Sequence, residues 1–143
     1  MRSNTKVRYG LRTMIQIALD NEEGIYQKDI SKKQGISIKY LDQIIASLKA
    51  EGLITRPADQ RQGYVLTRKT SEITVYDIYQ AFEPDLNVVP CLPDEGICSR
   101  KNYCAAVHFW SGLNTTIRDY LKETKLDSLV EIQQKQNLQF SKE

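Results

Sequence analysis

Histidine and cysteine are scarce in this chain: there is one histidine and there are three cysteines, beside one tryptophan and two methionines. A single imidazole leaves little room for acid–base catalysis. Neither a Ser–His–Asp set, a pocketed carboxylate pair nor a glycine-rich phosphate loop can be traced along the sequence. A protein that is not an enzyme is expected. Long apolar runs are missing too, none approaching the roughly 20 residues of a membrane span. The opening Met1-Arg2-Ser3-Asn4-Thr5-Lys6 has no apolar signal core. No membrane partner and a cytoplasmic location are therefore expected, and with them no disulfide framework of the secreted kind. The 143 residues suffice for one domain with an extension and a core that needs no disulfides.

The scarce ligands are gathered in one place. Cys91, Cys98 and Cys104 fall in a single loop, and His108 follows one helical turn later. Three thiolates and an imidazole suffice to hold zinc or an iron–sulfur cluster. Cys104 and His108 are four apart, so on a helix they project from the same face. Plainer readings exist: free thiols, buried apolar cysteines, or one disulfide with a cysteine left over. Pro93, Asp94, Glu95 and Gly96 before Cys98, and Ser99, Arg100, Lys101 and Asn102 after it, make the loop too polar for core packing. Spacing alone leaves a metal, a cluster and redox-active thiols open.

Charge is uneven although the net value is only +2. Residues 1–70 carry 13 Lys/Arg against 7 Asp/Glu, and residues 71–143 carry 7 against 11. A basic first half facing a polyanion fits this asymmetry, as does a merely solvated surface. The order of elements favours the polyanion. Val7, Leu11, Met14, Ile15 and Ala18 recur at three and four and predict an amphipathic helix from Lys6 to Asp20. A short helix over 27–33 carries Ile30, and Gly35 suits the left-handed position that ends it. Ser37 is a good cap for a helix running to about Ala50, with Ile38, Leu41, Ile44, Ile45 and Leu48 as its expected buried stripe. Two helices joined by a three-residue turn containing glycine make a helix-turn-helix.

Two β-like runs, 53–56 and 64–67, flank a polar turn and complete a winged helix. The second helix of such a motif lies in the major groove with its N-terminal residues nearest the bases. Ser37, Lys39, Tyr40 and Gln43 are its expected outward residues. Gln pairs bidentately with adenine, and Lys and Tyr reach phosphates or base edges. Lys28 on the preceding helix, and Arg56, Arg61 and Gly63 around the hairpin, complete the candidate set for a double-stranded DNA operator. Further on, Val107, Trp110, Leu113, Ile117 and Leu121 form a second apolar stripe, expected to pair two copies as a homodimer. The tail from Gln133 is expected to fray.

Several segments together resemble the Rrf-type family of bacterial winged-helix transcription regulators, which has IscR-, NsrR- and CymR-like members. They are 6–12 (KVRYGLR), 29–37 (DISKKQGIS), 40–44 (YLDQI), 48–54 (LKAEGLI), 63–66 (GYVL) and the cysteine loop. The resemblance covers residues 1 to about 130. It implies a mainly α fold with a small β-hairpin wing, and a long C-terminal helix crossing to a partner subunit. It further implies that Cys91, Cys98 and Cys104 hold an iron–sulfur cluster that controls operator binding. The family's loop has five residues between successive cysteines, whereas this chain has six and then five. IscR-like members take a histidine three residues after the last cysteine; Val107 stands there and His108 one further on. NsrR-like members take an acidic ligand from the first helix, near Arg8. The resemblance with these departures favours 2Fe–2S over 4Fe–4S. At the wing, Gln62-Gly63-Tyr64 stands for the family's Gly-Gly-Tyr, with Gly63 expected to supply an unusual backbone angle.

The expected organisation is a DNA-binding domain over 1–82, a sensor loop over 83–103, and a dimerisation helix with tail over 104–143. Two alternatives accompany the cluster-gated regulator. One is a regulator gated by thiol oxidation without a cluster. The other is a winged-helix protein with a structural Cys3His zinc site.

Overall fold

The computed structural model describes residues 4–58, 63–89, 91–92 and 99–141. Arg61 and Cys98, both candidate site residues, lie outside them. Helix α1 (Thr5–Leu19) starts where the Asn4 side chain accepts from the Lys6 amide. Helix α2 (Gln27–Gln34) ends at Gly35, whose φ of 65° is left-handed and costs glycine nothing. Helix α3 (Ile38–Ala50) is capped by Ser37, whose hydroxyl accepts from the Tyr40 amide at 3.2 Å. These boundaries agree with the sequence to within a residue or two. Mainly helical secondary structure with a two-stranded antiparallel wing is the observed fold class.

The wing pairs β1 (Ile54–Thr55) with β2 (Val65–Leu66), Ile54 opposite Leu66 and Thr55 opposite Val65. It is anchored twice beyond that pair. Tyr64 and Ile25 exchange both backbone hydrogen bonds, at 2.7 and 3.1 Å, and Asn21 Oδ1 accepts from the Leu66 amide at 2.8 Å. Gly63 lies against this junction. A Cβ there would sit 2.1 Å from the Ile25 carbonyl. Its φ is not positive; among the described residues the positive-φ glycines are Gly24, Gly35 and Gly52. The expected unusual angle at Gly63 is thus corrected: glycine is needed because two backbones meet.

One core joins all the layers. Met14 and Ile17 of α1, Ile30 of α2, and Leu41, Ile44 and Leu48 of α3 are fully buried with Leu53, Ile73, Ile78 and Leu126. Along α1 the buried ridge is Gly10, Thr13, Met14, Gln16 and Ile17; Leu11, Ile15 and Ala18, expected at its centre, are its flanks. Gly10 lets Phe82 lie on the helix, so that α1 meets α4 (Val75–Gln80) closely. Helix α4 begins with a reciprocal capping box between Thr74 and Asp77.

The C-terminal region departs from a single helix and tail. Helix α5 (Ala105–Glu123) stops at Thr124, and α6 (Leu126–Ser141) folds back onto α1. The break is stitched to the winged helix: Val75 N–H donates to the Thr124 carbonyl at 2.9 Å, and Leu126 N–H to that of Ile73 at 2.8 Å. Helix α6 remains helical through Gln133 to Ser141 instead of fraying there. Residues 126–141 contain neither Gly nor Pro, and Gln, Lys and Leu are good helix formers. No helix among the described residues is long and apolar enough to cross a membrane.

Gly63→Ala should lower stability by about 1–3 kcal/mol or more, because the clash is with backbone that cannot turn away. Gly10→Ala should cost less. Its methyl meets the edge of the Phe82 ring at 2.2 Å, and the helix gains about 1 kcal/mol of propensity. Urea midpoints of the two variants test this; equal midpoints would contradict it.

Candidate nucleic-acid interface and cysteine loop

The outer face of α3, the candidate for base contacts, is positioned by residues behind it. Gln27, first in α2, donates to the Ile38 carbonyl at 3.3 Å and to the Asp42 carboxylate. This locks the first turn of α3 against α2. Arg12 of α1 bonds the Gln34 side chain at 3.0 Å and the Gln34 carbonyl, tying α1 to the end of α2. Gln34 in turn donates to Gln16 at 2.8 Å, and Gln16 to Asp20 at 2.7 Å. The helix-turn-helix thus rides on α1 through a continuous polar chain.

On that scaffold Lys39 and Gln43 are exposed along the outer ridge of α3, as the sequence predicted. Ser37 is also exposed, with its hydroxyl engaged in capping. Tyr40 is different. Its ring is half-buried and meets Tyr9 edge-on, with centroids 5.5 Å apart, and Arg12 lies 5.3 Å from the Tyr9 ring. Tyr40 therefore packs α3 onto α1, with only part of the side chain turned outward. Lys28 is exposed on α2, and Arg56 is exposed at the end of β1 with its guanidinium 5.9 Å from the Tyr26 ring. Gly63 is buried, so it shapes the wing from within.

Ile38 overturns an expectation. Placed in the buried stripe by its spacing, it is 47% exposed. Side chains on a helix lean toward the N-terminus, so a residue in the first turn overhangs the end and has no preceding turn to cover it. Gln27, whose bonds fix this end of α3, was not singled out by sequence reasoning either. Its only signal was its place at the start of α2.

In the cysteine loop, Cys91 and Cys104 are half-buried free thiols, and Cys104 is the residue that caps α5. His108 lies exposed one turn into α5. A half-open cleft of about 450 Å³ runs between Leu92, Asn102, Val107, His108 and Ser111, bringing Leu92, the residue after Cys91, to the imidazole. Among the described residues no three of His, Cys, Asp and Glu converge on one point. The donor chemistry, thiolates with an imidazole, fits a soft metal or an iron–sulfur cluster.

Helix α5 carries two apolar stripes where one was expected. Val107, Trp110, Asn114, Ile117 and Leu121 alternate at three and four; Asn114 is buried, Val107, Ile117 and Leu121 are half-buried, and Trp110 stays 36% exposed against the Phe109 ring. Asn114 is the buried member, and its Oδ1 accepts from the Val88 amide at 3.0 Å. Leu113, expected in this stripe, instead joins Phe109 and Tyr120 on a second face, where they are 36%, 64% and 70% exposed. Counting the three–four rhythm through Asn114 would have found the split, but a polar residue was passed over for an apolar neighbour. Beneath α5, burial and the Glu83 carboxylate raise the Tyr79 phenol above its ordinary pKa.

Residues 3–132 match the Rrf2 family, described as Iron-dependent Transcriptional regulator. The chain is 34% identical over 131 residues to the HTH-type transcriptional regulator IscR of Pectobacterium carotovorum, covering 91% of this chain and 79% of that protein. It is 33% identical over 135 residues to IscR of Photorhabdus laumondii, covering 94% and 82%. Among solved structures it resembles CymR, the global cysteine regulator of B. subtilis, with a TM-score of 0.75 and 28% identity over 92% of this chain and 98% of that one. It resembles T. potens IscR at a TM-score of 0.74 and 26% identity, over 92% and 87%.

Asn114→Ala should leave the part-buried Val88 amide without its acceptor, at a cost of about 1 kcal/mol for the lost hydrogen bond. Hydrogen exchange at Val88 should then accelerate while amides in α3 keep their protection. Unchanged exchange at Val88 would contradict this role for Asn114.

Proposed function

The chain belongs to the Rrf2 family of transcription regulators, which are not enzymes, and from that premise we propose a homodimeric DNA-binding switch in the cytoplasm. Its operator affinity follows an iron–sulfur cluster held in the cysteine loop. The observation that carries this reading is the placement of the loop. It is pinned to α5 through Asn114 and Val88, and α5 is tied through Thr124 to the same body that holds the reading helix.

Residues 1–82 are the reading part in this account. Lys39 and Gln43 face base edges, Ser37 caps the reading helix, and Lys28 and Arg56 sit within reach of phosphates. Tyr40 and Gly63 set the pose of α3 and the wing from behind, and Arg61 is assigned as a further DNA contact on its charge alone. Residues 83–103 are the sensing part. Residues 104–143 join two copies: Phe109, Leu113 and Tyr120 present an apolar face that a second α5 covers. Helix α6 braces the reading part as well, since Leu126 completes its core.

Cys91, Cys98 and Cys104 would hold the cluster, with His108 as fourth ligand. Bound there, it would supply one-electron chemistry and lability to oxidants. A 2Fe–2S form is favoured over 4Fe–4S: the imidazole is at hand on α5, and Arg8 of α1 offers no carboxylate. The protein's own part is to keep two thiols half-buried and the imidazole beside an open cleft. That arrangement allows a small oxidant to approach from solvent.

Protein purified without oxygen should be coloured and contain iron and acid-labile sulfide in equal amounts, and Cys104→Ala should lose both. Stoichiometric zinc without sulfide would replace the cluster by a structural zinc site. Neither metal, with three titratable thiols, would leave gating by thiol oxidation.

A further inference from the structure

Ile38 is a large apolar side chain left outside the core at the first position of the reading helix. It is 47% exposed and is absent from both the core and the half-buried shell packed on it. A lone exposed isoleucine needs no explanation on most surfaces. The setting here is unusual in two respects. The first turn of α3 is held at both ends of its backbone: the Ser37 hydroxyl accepts from the Tyr40 amide, and the Gln27 amide donates to the Ile38 carbonyl. An exposed side chain on so fixed a turn is presented in one place, and a β-branched chain has little rotamer freedom to lose on contact.

Second, its neighbours divide by chemistry. Lys39, Asp42 and Gln43 are the exposed residues beside it on α3, and the Asp42 carboxylate is already engaged by Gln27. Ile38 is thus the apolar contact available at the tip of the helix. The leaning of helical side chains carries it past the helix end, toward where the first turn meets the groove. The apolar feature that the major groove offers is the thymine C5-methyl, which meets apolar side chains by burial alone.

We infer that Ile38 is a specificity-determining residue that reads a thymine methyl in each operator half-site. The inference rests on the DNA-binding reading above and adds a base to it. Gln43 and Lys39 supply hydrogen bonds, and Ile38 supplies the methyl contact that hydrogen bonding cannot sense.

The test removes the methyl without touching a hydrogen bond. A duplex selected by the wild-type protein from a random library is resynthesised with each thymidine replaced in turn by deoxyuridine. Binding is measured at one salt concentration for the wild type and for Ile38→Ala. Alanine is a good helix former, and the site lies outside the core, so the variant's helix content and urea midpoint should match the wild type. At one thymine per half-site the wild type should lose affinity by about fourfold, the transfer value of one buried carbon group. Ile38→Ala should bind the thymine duplex correspondingly more weakly and be indifferent to deoxyuridine there, while penalties at other thymines stay as in the wild type. A wild type indifferent to every deoxyuridine would overturn the inference. So would an Ile38→Ala variant that keeps the full penalty, since another residue would then read the methyl. Selection of no duplex at all would overturn the DNA-binding reading itself, and is distinguishable from both.

Discussion

The short segment between α5 and α6 joins the C-terminal helices to the winged helix. Thr124 and Leu126 hydrogen-bond the backbone of Val75 and Ile73, and the Leu126 side chain is wholly enclosed in the core of the winged helix. Truncating such a leucine costs about 2–5 kcal/mol, a large part of the margin of a domain this size. Helix α5 is therefore anchored to the winged helix at this end by backbone bonds and a core side chain. At its other end it begins on Cys104. In the proposed switch, an event at the cysteine loop would reach the winged helix through this helix.

The polar contacts complement this arrangement. Arg12, Gln34, Gln16 and Asp20 form a chain along α1 and α2, and Gln27 reaches from α2 to α3. Hydrogen bonds of this kind contribute about 1 kcal/mol each, but they are directional where apolar burial is not. They fix the pitch of the reading helix while the isoleucines and leucines beneath it supply stability. On α5 the division recurs: Phe109, Leu113 and Tyr120 leave one face apolar and exposed, and Asn114 on the other holds the Val88 amide.

Much of this was legible in the sequence because it follows from short-range rules. Apolar spacing, the Ser37 cap and the left-handed Gly35 marked the helix-turn-helix to within a residue or two. Lys39 and Gln43 stand on the exposed ridge that the spacing indicated. Long-range contacts were hidden. Nothing in the sequence near Gly63 announces that the Ile25 backbone lies against it, and nothing near Leu126 announces that α6 turns back into the core. Ile38 was misplaced because a helical wheel treats the first turn like any other. Asn114 was missed because a search for apolar residues skips the polar one that completes the rhythm. The cysteine loop is proposed as a donor set on spacing and chemistry alone, whereas the cleft beside His108 depends on folding.

The central claim is that the state of the loop is felt at the reading helix. The direct measurement is a titration of one operator, at matched salt, with cluster-loaded protein, with protein stripped of iron and sulfide, and with Cys98→Ala. Coupling free energies between distant sites are typically about 1–3 kcal/mol. Loaded and stripped protein should therefore differ in affinity by about 5–150-fold, and Cys98→Ala should follow the stripped curve. Three superimposable curves would contradict the account, because the loop would then leave the DNA-binding surface unchanged.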